Sequence, residues 1–372
     1  MVAKQPEDLL LCHATSVQKQ VLRSLRSHQD DSYMRPVTWG ILGAADIALK
    51  KVIPAMQRTD RCRVIAIASR DARKATDAAA ALGIPRAYGS YEELVEDLEI
   101  EAIYNPLPNH LHVPWSIRAA NAGKHVLCEK PIALSASEAR ELLAARDRTG
   151  VQIAEAFMVR THPQWIAARE LVSDGQIGEL RLVSGHFSYY RRDPADIRSR
   201  AEFGGGAMMD IGCYPIMLSR WMFGAEPTHV IADIETDPEL GVDRLASAML
   251  RFPAGQATFS CAGQLVPHQR MHIYGTRGRV EIEIPFNPPP DRASRIIVDS
   301  GRELGGASGE VIEFPAVDQF MLQAERFCDA IRGEGTVAVP LEDSVANMAV
   351  IDALVRSSQT NRWESPLNTG AP

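Results

Sequence analysis

The sequence predicts a two-domain α/β protein, a doubly wound parallel-sheet half followed by an α+β half. Three observations predict it. The 372 residues exceed the usual size of a single hydrophobic core, so two domains of ordinary size are expected. From residue 36 short apolar runs alternate with longer amphipathic stretches, the pattern of βαβ units around a parallel sheet. After Phe157 the texture changes to runs joined by Gly-, Pro- or Asp-containing turns, which is the signal of antiparallel strands.

In the first half the strand runs are Trp39 to Leu42, Val64 to Ala68, Ala102 to Tyr104, His125 to Cys128 and Val151 to Ala154, about five strands. Helical stretches at 47–58, 71–82, 111–122 and 135–149 lie between them, several with Ala at inward positions, as close packing of helix on sheet favours. The second half opens with a helix through Ala167 to Leu171. Strands follow at 180–189, 228–236, 245–252, 256–262, 269–274 and 279–284. Ala254-Gly255 and Arg277-Gly278 read as hairpin turns, and Asn287 to Pro290 as a loop. Two helices, Val317 to Arg332 and Leu341 to Arg356, close the chain. We divide it into an extension over 1–34, a first domain over 35–157 and a second over 158–372. The extension carries a weak amphipathic helix from Val17 to Leu25, and no chemistry is assigned to it.

Composition narrows the function classes. Hydrophobic content of 45% and charged content of 23% are those of an ordinary globular protein. A net charge of -7 without an extended Lys/Arg cluster argues against nucleic acid or an anionic membrane surface as the main partner. Six scattered cysteines with no Cys-x-x-Cys pair fit reduced thiols in a cytosol rather than a disulfide framework. His110 and His112 are poorly spaced for a metal, and structural hydrogen bonds are expected of both; no metal is expected in the site.

Gly40 to Ala48 follows a strand and opens a helix, the context that makes a dinucleotide fingerprint credible. Gly43, Ala45 and Ala48 stand where three glycines usually do, so Gly43 makes the tight turn and the pyrophosphate rests on the helix start across Ala44, Ala45, Asp46 and Ile47. The second strand ends in Ser69 and Arg70 instead of the carboxylate that accepts both ribose hydroxyls of NAD. A serine and a guanidinium can hold a 2'-phosphate, so NADP is expected ahead of NAD. Asp71 follows, and is expected to cap the next helix. The loop Asn105-Pro106-Leu107-Pro108-Asn109 leaves the third strand at the edge where open α/β sheets bind ligands. Asn105 and the loop carbonyls are expected at the nicotinamide, and Asn109 at the start of the helix near Leu111.

Glu129-Lys130-Pro131 leaves an apolar strand, and Asp210 and Tyr214 lie four residues apart beyond Gly204-Gly205-Gly206. An amine and a phenol in one cleft make an acid/base pair for carbonyl reduction or carbinol oxidation. A phenol of ordinary pKa about 10 is a poor base at neutral pH, and a neighbouring ammonium, here Lys130, is expected to stabilise its phenolate.

These motifs, with Pro108-Asn109-x-x-His112 and Gly123-Lys124-His125-Val126, match in order and spacing a known family. From Val37 to about Arg356 the chain resembles the glucose-fructose oxidoreductase, inositol dehydrogenase and rhizopine-catabolism (Gfo/Idh/MocA) oxidoreductases. The resemblance implies a Rossmann domain, then a domain whose open, largely antiparallel sheet often forms a dimer face, and metal-free NAD(P)-dependent chemistry on a sugar, polyol or related carbonyl compound. A homodimer or tetramer follows. Tyr214, where many members carry His, is similar to the branch of glucose-fructose oxidoreductase, NADP-linked aldose 1-dehydrogenases and dimeric dihydrodiol dehydrogenases. The extension lacks a twin-Arg signal, and a cytoplasmic enzyme is expected.

On that footing Tyr214 takes a proton from the C1 hydroxyl of a xylose- or glucose-type aldose while hydride leaves C1, and Lys130 holds the same oxygen; the product is a lactone. Asp210 binds a substrate hydroxyl, orients Lys130, or serves only as a helix-start carboxylate. Glu129 pairs at the domain hinge or contacts the cofactor ribose. The resemblance adds Asn109, His112 and Lys130 to the cofactor side. Arg160, Tyr190 and Arg198 are candidates for the substrate pocket, together with His162. Dihydrodiol dehydrogenase or carbonyl reductase activity is the alternative on the same pair, and a silent NADP sensor the alternative of another class.

Overall fold

The computed structural model describes residues 16–21, 35–306 and 309–366. Its first sheet has six parallel strands: β1 (Val37–Leu42), β2 (Cys62–Ala68), β3 (Arg86–Tyr88), β4 (Ala102–Asn105), β5 (His125–Cys128) and β6 (Ile153–Glu155). They run in the order β3-β2-β1-β4-β5-β6, so the direction of winding reverses beside β1. Both faces of a parallel sheet must be covered, which is why its inner strands are largely apolar. Leu42, Ile103 and Val126 pack in one core with the helices α3 (Tyr91–Glu96), α4 (His112–Asn121) and α5 (Ala136–Thr149). Trp39, Ile41 and Ile67 pack in another with α1 (Ile53–Met56), preceded by a π-helical turn Ala48–Val52, and α2 (Ala72–Leu82).

That second core also holds Ala324, Phe327 and Cys328 of α8 (Gln319–Arg332), with the Trp39 and Phe327 rings 5.7 Å apart. Residues 319–332, which we expected within the second domain, thus complete the first sheet. Arg61 pairs with Asp329, and Arg332 reaches Glu101 at 2.9 Å.

The second sheet has eight strands in the order β14-β13-β12-β11-β7-β10-β9-β8. They are β7 (Leu180–Tyr190), β8 (His229–Thr236), β9 (Asp243–Arg251), β10 (Gln256–Ala262), β11 (Gln264–Gly275), β12 (Arg279–Ile282), β13 (Ser294–Asp299) and β14 (Glu310–Phe314). Every pairing is antiparallel except β7 with β10. The helices α6 (Pro163–Ser173), α7 (Cys213–Phe223) and α9 (Leu341–Thr360) contribute to the core with β7 and β8.

The periodicity located most elements within a few residues, and both hairpin turns close as expected. The first sheet has six strands rather than five, because β3 is a three-residue edge strand with no apolar run, and β13 and β14 lie beyond the expected set. The helical turn 16–21 buries Val17 and Val21, while Gln18 donates to the Glu313 carbonyl on β14. The rest of the expected helix lies outside the described residues. No helix is long and apolar enough to cross a membrane among the described residues.

Glu101 gives the joint to α8 a pH signature. Burial pushes its carboxyl up, but Arg332, the Thr38 amide and Arg35 outweigh this and hold it at about 2. A depressed carboxylate stabilises the fold above its ordinary pKa and loses that contribution as pH falls toward the folded value. The melting temperature should therefore drop as pH falls from 4.5, and an Arg332→Leu variant should start lower near neutrality and show a shallower acid dependence, as read by calorimetry across the same buffers.

Candidate active site

The cleft lies at the C-terminal edge of the first sheet, where winding reverses and ligands of such sheets bind. Gly43 ends β1 with φ +89°, its amide bonded to the Ala68 carbonyl at 2.8 Å. A Cβ added there would lie 2.9 Å from Leu107 Cδ2, so only glycine keeps this turn against the loop. Ala44 and Ala45 lead into the helix beginning at Asp46, whose N-terminus faces the crevice. Asp46 itself is exposed and pairs with Lys50 at 2.7 Å, while Ile47 lines the cleft.

At the end of β2, Ser69 is buried and Arg70 is exposed beside the Tyr91 hydroxyl. The Asp71 carboxylate accepts the amides of Arg73 and Lys74 as the N-cap of α2. Its acceptor oxygen is thereby committed within the helix. A tight glycine turn, a helix start and a polar strand end together fit a dinucleotide.

The loop after β4 is organised differently from expectation. Asn105 is fully buried; its side-chain amide donates to the His112 carbonyl and Ser116 hydroxyl, and its Oδ1 accepts the Leu107 amide. It shapes the loop rather than lining the cleft, which Pro106, Leu107, Asn109 and His112 do. Asn109 does not cap the helix: a 3₁₀ turn occupies Asn109–Leu111, and its amide donates to the Gly204 carbonyl at 2.8 Å. The His112 ring lies 2.8 Å from the Pro131 carbonyl and 2.6 Å from that of Leu107, clamping the loop to the turn after β5. Burial drives its pKa down to about 4 against the pull of both carbonyls; the neutral ring donates to one of them and packs against the other.

Lys130 ends the strand opposite, and its peptide bond to Pro131 is cis. Its Nζ donates to the Asp210 carbonyl at 2.6 Å and to Oδ1 at 3.0 Å. Asp210 Oδ2 accepts the Tyr189 hydroxyl at 2.7 Å and Arg198 Nε at 2.9 Å. Burial opposes the charge on both members of the Lys130–Asp210 pair, but their mutual attraction wins: Lys130 is held well above its usual pKa and Asp210 well below. Glu129 accepts the Tyr104 hydroxyl at 2.7 Å, and burial raises its carboxyl.

Tyr214 is buried beside this cluster, with its ring centroid 5.2 Å from Lys130 Nζ. Phe157 meets the ring edge-on at 5.2 Å, and the hydroxyl lies 3.4 Å from Met158 Sδ. Burial pushes the phenol well above its ordinary pKa; Lys130 opposes this without reversing it. Lys130 thus acts on the phenol in the expected direction, but burial is the larger influence, and the ammonium faces the ring.

Asp210 and Tyr214 share one continuous helix, which begins with the π-helical turn Met208–Gly212 and runs into α7. The glycine triplet before it meets protein: added Cβ atoms would lie 2.3 Å from Leu134 Cδ2 at Gly204, 2.5 Å from the Arg198 carbonyl at Gly205 and 1.8 Å from Asp243 Oδ1 at Gly206. The strand-to-helix connection 191–206 lies over the loop after β4, with Phe203 stacked on His110 at 4.7 Å. The cleft holds about 400 Å³ and is bordered by both cofactor-side and substrate-side groups, including Phe187, Tyr190, Arg198 and Asn287.

Two candidates lie elsewhere. Arg160 stacks 4.3 Å from the Trp221 ring centroid and pairs with Asp343 at 3.3 Å, so it braces α7 against α9 instead of lining the cleft. His162 caps α6, accepting the Gln164 amide. Tyr189 and Asn287 were not singled out in the sequence. Strand alternation was the available signal for Tyr189: it shares a face with the buried Phe187, whereas Tyr190 is 67% exposed.

A dinucleotide crevice opening onto a lysine, a carboxylate and two phenols defines a nicotinamide-dependent oxidoreductase. Residues 37–157 match the oxidoreductase family with an NAD-binding Rossmann fold, and residues 165–281 match the GFO/IDH/MocA C-terminal domain. The chain belongs to the Gfo/Idh/MocA oxidoreductases and is an NAD(P)-dependent enzyme acting on CH-OH or carbonyl groups. It is 48% identical over 330 residues to an uncharacterised oxidoreductase of Rhizobium meliloti, covering 88% of this chain and 99% of that one. It is 37% identical to D-xylose 1-dehydrogenase (NADP(+)) 2 of Haloferax volcanii, over 87% and 97% of the two chains. Among solved structures, a 3-ketoreductase from Actinomadura kijaniata in complex with NADP and TDP-benzene superposes with a TM-score of 0.80 at 30% identity, covering 87% and 98%.

Removing the charge of Asp210 leaves Lys130 the backbone carbonyl of that residue and Arg198 its pair with Asp196. An Asp210→Asn variant should retain cofactor binding by fluorescence titration, turn over roughly a hundredfold more slowly, and show its alkaline loss of activity at lower pH than the wild type, because Lys130 no longer has the charge that holds its proton.

Proposed function

We propose that the protein is an NADP-dependent aldose 1-dehydrogenase, oxidising a xylose- or glucose-type sugar to its lactone. The observation that carries the reading is Lys130, held as a cation by Asp210 and facing Tyr214 at the mouth of the dinucleotide crevice. An ammonium has three donors, and two are occupied by Asp210, leaving one for a substrate oxygen. Bound NADP supplies the hydride acceptor. Lys130 then holds the C1 oxygen and stabilises charge developing on it, while Tyr214, in the phenolate form that the Lys130 charge favours, receives the hydroxyl proton. Arg198 and Tyr190 border the space for the remaining ring hydroxyls. The choice of NADP rests on Ser69 and Arg70 at the strand end and on the engagement of Asp71 within its own helix. The Haloferax relative is described as NADP-dependent and acts on D-xylose.

Gly43 to Ile47, with Pro106, Leu107, Asn109 and Glu129, form the cofactor side of this proposal. Crystal structures of the Actinomadura 3-ketoreductase include variants substituted at a lysine and at a tyrosine, which are as far apart in sequence as Lys130 and Tyr214. That likeness supports the pairing of these two residues in one function. Burial, which favours the neutral phenol at Tyr214, supports a second reading, reduction of a sugar ketone, in which the phenol gives its proton to the carbonyl oxygen.

Purified protein incubated with NADP and a panel of free aldoses should generate NADPH, followed by near-ultraviolet absorbance, faster than with NAD. Silence with every aldose, together with NADPH consumption on keto sugars, would replace the first reading by the second. A Tyr214→Phe variant should bind NADP with unchanged affinity and turn over about a hundredfold more slowly; unchanged turnover would remove the phenol from the mechanism.

A further inference from the structure

The helix that carries Asp210 and Tyr214 cannot cap itself. It starts at a glycine with φ +108°, and no side chain of its own start accepts its first amides. The acceptor comes from another part of the chain: Asp243, the first residue of β9, accepts the Met208 amide at 2.6 Å through Oδ2. The Ala207 amide also bonds this carboxyl. Its other oxygen occupies the space over Gly206, where an added Cβ would lie only 1.8 Å away. The backbone and the carboxylate therefore fit each other only while position 206 is glycine. Burial raises the Asp243 carboxyl to about 6, so at neutral pH it is ionised and faces the positive end of the helix.

We propose that Asp243 is a positioning residue: it pins the start of this helix to the second sheet, and so sets how far Asp210 and Tyr214 project toward Lys130. Asp210 is two residues beyond the pinned amide, and its own amide bonds the Gly206 carbonyl at 3.1 Å. A shift of the first turn therefore moves the carboxylate that holds Lys130. Misplacement of about 1 Å can cost a reaction on the order of a hundredfold. The role is distinct from Asp210's, because Asp243 contacts the helix backbone and not the Lys130–Tyr189–Arg198 cluster.

The inference rests on the site described above but does not depend on which substrate it takes, and the test separates the two. Amide hydrogen exchange needs no substrate. In Asp243→Ala the amides of residues 207–214 should exchange roughly five- to tenfold faster than in the wild type, the scale of a lost cap, while amides of the first sheet stay unchanged. The turnover per NADP-binding site on the substrate found for the wild type should fall ten- to a hundredfold with KM little altered. Asp243→Asn, which keeps one acceptor oxygen, should restore most of both properties. It also serves if the alanine variant does not fold, since replacing one carboxylate oxygen by an amine should still raise exchange over 207–214 a few-fold. Unaltered exchange over this segment in Asp243→Ala, or in Asp243→Asn where the alanine variant does not fold, overturns the proposal. So does faster exchange in Asp243→Ala with wild-type turnover per site, which would make the cap a purely structural feature. Inactivity of the wild type on every sugar overturns the dehydrogenase reading and leaves the exchange result to decide this one.

Discussion

One buried negative charge organises the cleft. Taking a carboxylate out of water is expensive unless cations and hydrogen-bond donors replace its hydration, and Asp210 collects both. Lys130 comes from the end of a parallel strand, Tyr189 from the second sheet, and Arg198 from the connection between that sheet and the helix bearing Asp210. Each is brought by a different part of the chain, so the carboxylate registers the two sheets against each other at the reacting edge. The same network leaves the ammonium charged and aimed, which is the electrostatic condition for handling a substrate oxygen.

Tyr214 illustrates how position and titration combine. Residue type and spacing brought lysine and tyrosine together, but spacing has no information on which part of the phenol meets the ammonium. The surrounding Phe157, Phe187 and Phe286 rings exclude water from the phenol, and desolvation of the phenolate outweighs the nearby cation.

The first sheet was legible because parallel strands covered on both faces are unbroken apolar runs between turn residues. The short edge strand Arg86–Tyr88 carries no such run and escaped, as did Glu310–Phe314, whose apolar residues are broken by Glu313. In the site, residues inside contiguous motifs were legible: the Gly43 turn, Lys130 after its strand, Asp210 and Tyr214 on one helix. Those whose partners are distant were not. Nothing near Asp243 in sequence announces that it meets Gly206, and nothing near Asn109 announces Gly204, because the first pair is made by folding within the second domain and the other by the packing of one domain on the other. Asn105 and Arg160 failed for the complementary reason: a polar residue beside a site can be satisfied entirely by its own neighbourhood.

The placement of α8 ties the two halves together in time as well as in space. Phe327 and Ala324, near the end of the chain, fill the face of the first sheet that Trp39 opens near its beginning. During synthesis the N-terminal sheet thus emerges with part of that face still open beside α1 and α2, and nearly the whole chain follows before α8 covers it. The first core is therefore complete only once α8 has come back to the strand that began it, and the nascent chain keeps apolar surface open until then.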